Sequence, residues 1–400
     1  MIAAPDIIDG VDWKKNIPPV ETSQEREVYN QIIQMVDIYW RYRIADPNLK
    51  REYIAGVMDE QKSMEINKTH RKLIEKMSPH IQNHFDPLID FTKIDPVIEL
   101  PRNDTQYDIW KYFRIIGSRV SYRQVIGKDI RLFLRDKTSD SILGILELSS
   151  PALTMGTRDS FYGFTQPLRK RFSDLIEYSP NMSTCVALYP FSEYTGGKLM
   201  TMLTSTPETF NIVKKVYGMY PFGVHTTSIY GKSIQYDRIR EWDYLGNTLG
   251  HGSIHFSGIR IQSIVSFFQK RYPHKFNFCR LGMNYIMYIQ KCLGLSKAKV
   301  SFYYHGVPRG IYAFKAINDI SKAPEWIEGN YREIIEKKYE HENGSYYHFD
   351  TCENKFDFWK HRWFPQRYEK YHDQVKKDSI NRYFPDYIQN RKRQVSLEDL

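Results

Sequence analysis

The chain has 400 residues, with 57 Lys and Arg against 47 Asp and Glu, for a formal net charge of +10. Its hydrophobic content of 41% suffices for a core, but no apolar run approaches the roughly 20 residues of a membrane helix, so no membrane-spanning role is expected. No two of the four cysteines, Cys185, Cys279, Cys292 and Cys352, have zinc-knuckle spacing, which argues against a metal and for reduced, mostly buried thiols.

The start, MIAAPDIIDGVDWKK, lacks the charged and apolar regions of a secretory signal, and a cytoplasmic location is expected. Residues 20–82 read as helical: Val28, Ile32, Ile33, Val36 and Ile38 recur near helical spacing, and a charged stretch follows as far as Pro79. Pro87, Pro96 and Pro101 make residues 83–105 a connector. The expected first region is therefore helical, 1–105.

From about residue 107 the pattern changes. DIRLFLRD (129–136) alternates, a turn follows, and ILGILELSS (142–150) completes a hairpin signal. The stretch 165–179 carries Leu168, Phe172, Leu175 and Ile176 on one helical face. STCVALYPF then reads as a strand, 197–218 as a helix broken near Pro207, GVHTTSI as a strand, SIQYDRIREW as a short helix, and DYLGNT with GSIHFS as a closing hairpin. The order is that of an α+β domain with a mixed central sheet flanked by helices, bounded here at 106–258.

Residues 259–400 form the third expected region, a mainly helical, basic and aromatic extension. One or two helices joined at Pro273 come first, KVSFYYHGVPRGIYAFKA reads as a strand pair, and residues 359–393 hold ten Lys/Arg against four Asp/Glu among Trp359, Trp363, Phe364, Tyr368 and other rings. Such a tail supplies phosphate contacts and stacking surfaces for nucleic acid. Equally, it is a helix pair with its rings packed and its cations in water.

Several segments carry a resemblance. RVSYRQVIGKDIRLFLRD (119–136), GILELSSPALTMGTRDSFYGF (144–164), the GGKL step (196–199) and YGMYPFGVHTTSIYGKSIQYDRI…YLGNTLGHG (217–252) resemble the A-protein family of the Druantia anti-phage system. The resemblance implies a role in defence against phage. The strand order is also similar to the acetyltransferase (GNAT) fold, including Mom-type enzymes that modify adenine in DNA. That likeness implies that SEYTGGKL is a pyrophosphate loop and that GVHTTSI splays to admit a pantetheine arm. The loop departs from the GNAT pattern of Arg or Gln with spaced glycines, which leaves the donor open between acetyl-CoA and another acyl or nucleotide donor.

The residues suggest specific roles, each with a plainer alternative. Thr195, Gly196, Gly197 and Lys198 lie between strand and helix, where free N–H groups and a lysine cradle a phosphate; the alternative is a tight turn. Thr226 and Thr227 are placed with them as donor contacts, although β-branched residues also simply suit a strand. Tyr230 or Tyr236 would protonate a leaving thiolate, and Glu147 would be a base if buried. Arg158 either grips a phosphate or pairs with Asp159. Lys232, Gln235 and Arg238 would meet a nucleic-acid ligand, Gln235 and Arg238 from one helical face. Lys360, Arg362, Arg367, Arg391, Lys392 and Arg393 would contact phosphates. The expected function is a nucleic-acid-associated protein of phage–host conflict whose core transfers an acyl-type group; the alternative is a non-catalytic nucleic-acid-binding or sensing module. Nucleic acid and other defence-system or phage proteins are the expected partners, with oligomeric state left open.

Overall fold

A computed structural model describes residues 3–81, 90, 93–122, 127–171, 173–218, 220–229, 231–273, 285–297, 299–316 and 351–377. In chain order, α1 is Ser23–Ile44, α2 Pro47–Met64 and α3 Arg71–Ile81. Then come β1 Pro96–Glu99, α4 Asp104–Gly117, β2 Asp129–Asp136, β3 Ile142–Ser149, α5 Gly156–Tyr162, α6 Gln166–Arg171 and β4 Asn181–Ala187. Next are α7 Phe191–Thr195, α8 Lys198–Leu203, α9 Pro207–Tyr217, β5 Gly223–Ser228 and β6 Asp243–Asn247. The remainder is α10 Ile261–Arg271, α11 Tyr285–Cys292, β7 Gly310–Lys315, α12 Cys352–Arg362 and α13 Phe364–Lys377.

The chain divides into two compact units, each built from separated stretches. The first joins described residues 3–61 and 248–308. Here α1 begins at a capping box: Thr22 Oγ1 accepts from the Glu25 N–H at 3.1 Å, and the Glu25 carboxylate accepts from the Thr22 N–H at 3.3 Å. Ile32, Met35, Val36 and Tyr39 then recur at three- and four-residue steps, forming a buried stripe with Ile264 and Phe268 of α10 and Ile289 of α11.

The second unit joins described residues of 62–247 and 309–377 around a mixed sheet of seven described strands, ordered β1-β2-β3-β4-β5-β7-β6. This is the expected α+β architecture, a mixed sheet flanked by helices. All eight residues of β3 are buried, consistent with its central place and its near-continuous apolar run. On one side α4 buries Trp110, Tyr112 and Phe113, and the Trp110 indole N–H reaches the Leu132 carbonyl at 3.1 Å. Thr206 caps α9 with Pro207 in its first turn, and Gly218 ends it at φ +83°.

Four local expectations are corrected. Residues 83–105 are not only connector, because Pro96 opens the edge strand β1, a position where a missing N–H costs no ladder bond. SIQYDRIREW is a run of turns, not a helix. Tyr236 and Trp242 bond back three residues, to Ser233 and Ile239, and Arg238 adopts φ +64°. Three-residue turns bury Tyr236, Ile239 and Trp242 at a spacing that imitates a helical face. DYLGN does not close on GSIHFS, which holds the short 3-10 helix Ile254–Phe256; it pairs with GIYAFK, Asp243 opposite Ala313 and Asn247 opposite Gly310. In KVSFYYHGVPRGIYAFKA only Gly310–Lys315 is strand; Tyr304 makes an isolated bridge to His251.

Candidate functional site

The sheet opens at its one parallel step. β4 and β5 run parallel and pair at a single position, Asn181 opposite His225. β5 pairs with β7 at six successive positions, and β4 stays with β3 as far as Ala187 opposite Gly144. Beyond Asn181 and His225 the backbone ladder between the two central strands ends, although Thr226 Oγ1 still donates to the Met182 carbonyl at 2.7 Å. A cleft of about 760 Å³ lies there, walled by β4 residues 181–186, β5 residues 226–228, the 231–236 turns, and the end of α4 with its following loop.

Cations and hydroxyls dominate the walls. Arg114, Arg119, Lys232 and Arg309 line the cleft; Glu147 is the one carboxylate among its described lining residues. Between Glu147 and Leu148 the β3–β4 register slips: Glu147 faces Thr184 while Leu148 faces Met182, leaving Ser183 as an extra residue. Such a bulge re-aims side chains. Here it brings two hydroxyls onto one oxygen: Ser183 Oγ donates to Glu147 Oε2 at 2.6 Å and Thr184 Oγ1 at 3.2 Å. Arg114 Nε donates to Thr184 Oγ1 at 2.8 Å, and another Arg114 nitrogen to the Val120 carbonyl at 2.8 Å. Burial lowers the Arg114 pKa below the usual arginine value, while Glu147 and Glu65 pull it back up. Arg131 stands 3.8 Å from Glu147 and 2.9 Å from Asp129.

The opposite wall is fixed by the 231–242 turns. Tyr312 of β7 accepts from the Ser233 N–H at 2.7 Å and donates to Asp237 at 3.1 Å. Gln235 Nε2 donates to the Cys185 carbonyl at 3.1 Å and lies 3.2 Å from its sulfur. Burial pushes the Cys185 thiol up to about 12, which keeps it protonated and unreactive. Tyr236 is buried, and its phenol is raised well above its ordinary value by desolvation, so it stays protonated. Lys232 is exposed, 5.6 Å from the centre of the Tyr244 ring.

The predicted residues divide between this cleft and other places. Glu147, Thr226, Thr227, Lys232, Gln235 and Tyr236 line it together. The Thr195–Lys198 step does not. Gly196 and Gly197 do need positive φ, +57° and +78°, but the space above them is filled by the protein's own side chains. A Cβ on Gly196 would lie 2.6 Å from the Arg367 guanidinium, and one on Gly197 3.0 Å from Gln235. Lys198 Nζ donates to the Asp237 carbonyl and lies 5.4 Å from the Trp363 ring centre, so it acts as a clamp. Thr195 is buried.

Arg158 is fully buried, with Nε 2.9 Å and a terminal nitrogen 2.6 Å from Asp159 Oδ1. It is the internal pair and reaches no external phosphate. Arg238 is exposed but borders a different cavity from Gln235, because the helix that would align them is absent. Arg367 is half-buried and donates to the Glu193 carbonyl at 2.8 Å. Lys360 is half-buried on α12 and Arg362 exposed at its end. Tyr230, Arg391, Lys392 and Arg393 lie outside the described residues.

Arg114, Arg119, Ser183, Thr184 and Arg309 were missed as site residues. The signal for Arg119 was present in the hydroxyl- and arginine-rich RVSYRQV segment. Nothing local marked Ser183, whose place depends on a register slip between strands more than thirty residues apart in sequence.

The cleft lies within a region shared with known proteins. A family model described as Druantia protein DruA matches residues 48–323, which include the whole cleft and extend on both sides beyond the 119–252 segments that carry the resemblance. Among curated proteins, the Druantia protein DruA of Escherichia coli (strain UMEA 4076-1) is 25% identical over 182 residues, 41% of this chain. That alignment spans 44% of the relative's length. No solved structure matches the chain.

Proposed function

The chain belongs to the DruA family, and from that membership and the cleft's geometry we propose that it is a component of anti-phage defence that binds nucleic acid. The cleft between β4 and β5 takes a phosphate-bearing part of that ligand. One observation carries the reading: four cationic side chains and a band of hydroxyls surround an opening made by the sheet itself, with one carboxylate among the described lining residues. Arginine and lysine supply the charge-assisted bonds that phosphate needs. Ser118, Thr227 and Ser233 add neutral donors that tolerate many ligand orientations.

Salt-dependent affinity tests this. In fluorescence anisotropy with a labelled single-stranded oligonucleotide, the chain should bind at low salt, with affinity falling steeply as salt rises. Lys232→Glu with Arg309→Glu should weaken binding at least tenfold and flatten the salt slope. Equal affinity in that variant would remove the cleft from the proposal.

A second reading, transfer of an acyl-type group, is favoured by the splay itself, the feature expected of a strand pair that admits a pantetheine arm. Tyr236, which lines that cleft, is its candidate proton donor. The donor site would be the cleft and not the diglycine turn. A thermal shift with acetyl-CoA tests it, since a ligand of the native state raises stability: no shift at millimolar acetyl-CoA would leave the non-catalytic binding reading.

A further inference from the structure

A second cavity in the same unit lies behind the 231–242 turns. It measures about 280 Å³, and its apolar wall is Met202 of α8, Ile239, Phe358 of α12, and Trp363 between α12 and α13. At its floor Lys355 of α12 forms a buried ion pair with Glu241. Lys355 Nζ also donates to Ser205 Oγ at 2.7 Å and to the Met202 carbonyl at 3.1 Å, so its three N–H groups are all matched. The Glu241 charge is thus neutralised inside the protein. Arg238 and Arg240, both solvent-exposed, also line the cavity. Arg238 is held at φ +64°, a left-handed conformation that a non-glycine residue keeps where its surroundings fix it.

We propose that this cavity is a binding site for a small anionic amphiphile, with an aliphatic or aromatic body among Met202, Ile239, Phe358 and Trp363 and its acid head on Arg238 and Arg240. Pockets of this kind combine an apolar lining with a few polar groups that fix orientation. Two arginines beside an apolar chamber select a carboxylate, sulfonate or phosphate head over an ammonium one. The site is independent of what the β4–β5 cleft binds. It shares the 231–242 turns with that cleft, so a ligand here would also bear on the wall that carries Gln235 and Tyr236.

The test uses the full chain and the fluorescent probe 1-anilinonaphthalene-8-sulfonate. The probe should bind saturably at one site, and decanoate should displace it while decyltrimethylammonium, of equal chain length and opposite charge, should not. Arg238→Glu with Arg240→Glu, both at the surface, should weaken probe binding at least tenfold. Ile239→Trp, which fills the chamber, should abolish it with the circular dichroism spectrum unchanged. The proposal fails if binding is not saturable, if both amphiphiles displace the probe equally, or if the double arginine variant binds as wild type. Should Ile239→Trp not fold, the arginine variant and the amphiphile pair decide alone.

Discussion

At the scale of single residues, the positions read most directly from sequence were those whose demand is local. Paired glycines before a helical run predict left-handed backbone, and Gly196 and Gly197 adopt it. What they serve was not local: Arg367, some 170 residues away, and Gln235 occupy the space above them. Gly197→Ala should therefore cost about 1–2 kcal/mol from φ alone, and more once Gln235 moves aside. Gly218, at φ +83° with open space where a Cβ would stand, provides the control. Urea denaturation should rank Gly197→Ala as more destabilising than Gly218→Ala; the reverse order would contradict the packing described here. Glu147 was legible as a buried strand carboxylate, yet its partners depend on a bulge that no periodicity announces.

At the scale of elements, alternating and continuous apolar runs identified β2, β3, β4 and β5, because burial on one or both faces leaves a direct pattern. β1 escaped notice because its proline reads as a connector signal until its edge position is known. The turns at 231–242 carry the sequence pattern of a helix because successive three-residue turns and a helical face bury similar positions. These turns are held by α12 through Lys355 and Glu241, both buried. Lys355→Met should leave a buried, unpaired carboxylate and lower stability by about 3–5 kcal/mol. Lys355→Met with Glu241→Leu should recover most of that loss. Chemical denaturation of the two variants checks this, and a double variant no more stable than the single one would show that the pair is not what clamps the helix.

At the scale of the whole molecule, the order of sheet strands was only partly legible. Hairpins are local, but the pairing of β6 and of β5 with β7 joins residues far apart in sequence. Two histidines give the chain a predictable acid response. Burial holds His225 and His255, one in each unit, neutral down to about 3. An unfolded chain protonates histidine near pH 6.5, so between about pH 6.5 and 3 the unfolded state binds more protons. Each residue's contribution is whole above that range and falls by about 1.4 kcal/mol per pH unit as the pH drops through it. Urea midpoints at pH 7.5 and 5.5 should therefore differ less in His225→Gln than in wild type; parallel losses would contradict the buried, neutral assignment.

Among these expectations the cleft is central. Its most direct test is photo-crosslinking of a 5-iodouracil-substituted single-stranded oligonucleotide to the full chain, followed by mass spectrometric mapping. Crosslinks should fall on peptides carrying residues 181–186 and 226–236, and should disappear in Lys232→Glu with Arg309→Glu. Crosslinks confined to other parts of the chain, unchanged in that variant, would show that the splayed strands are not where the nucleic acid is held.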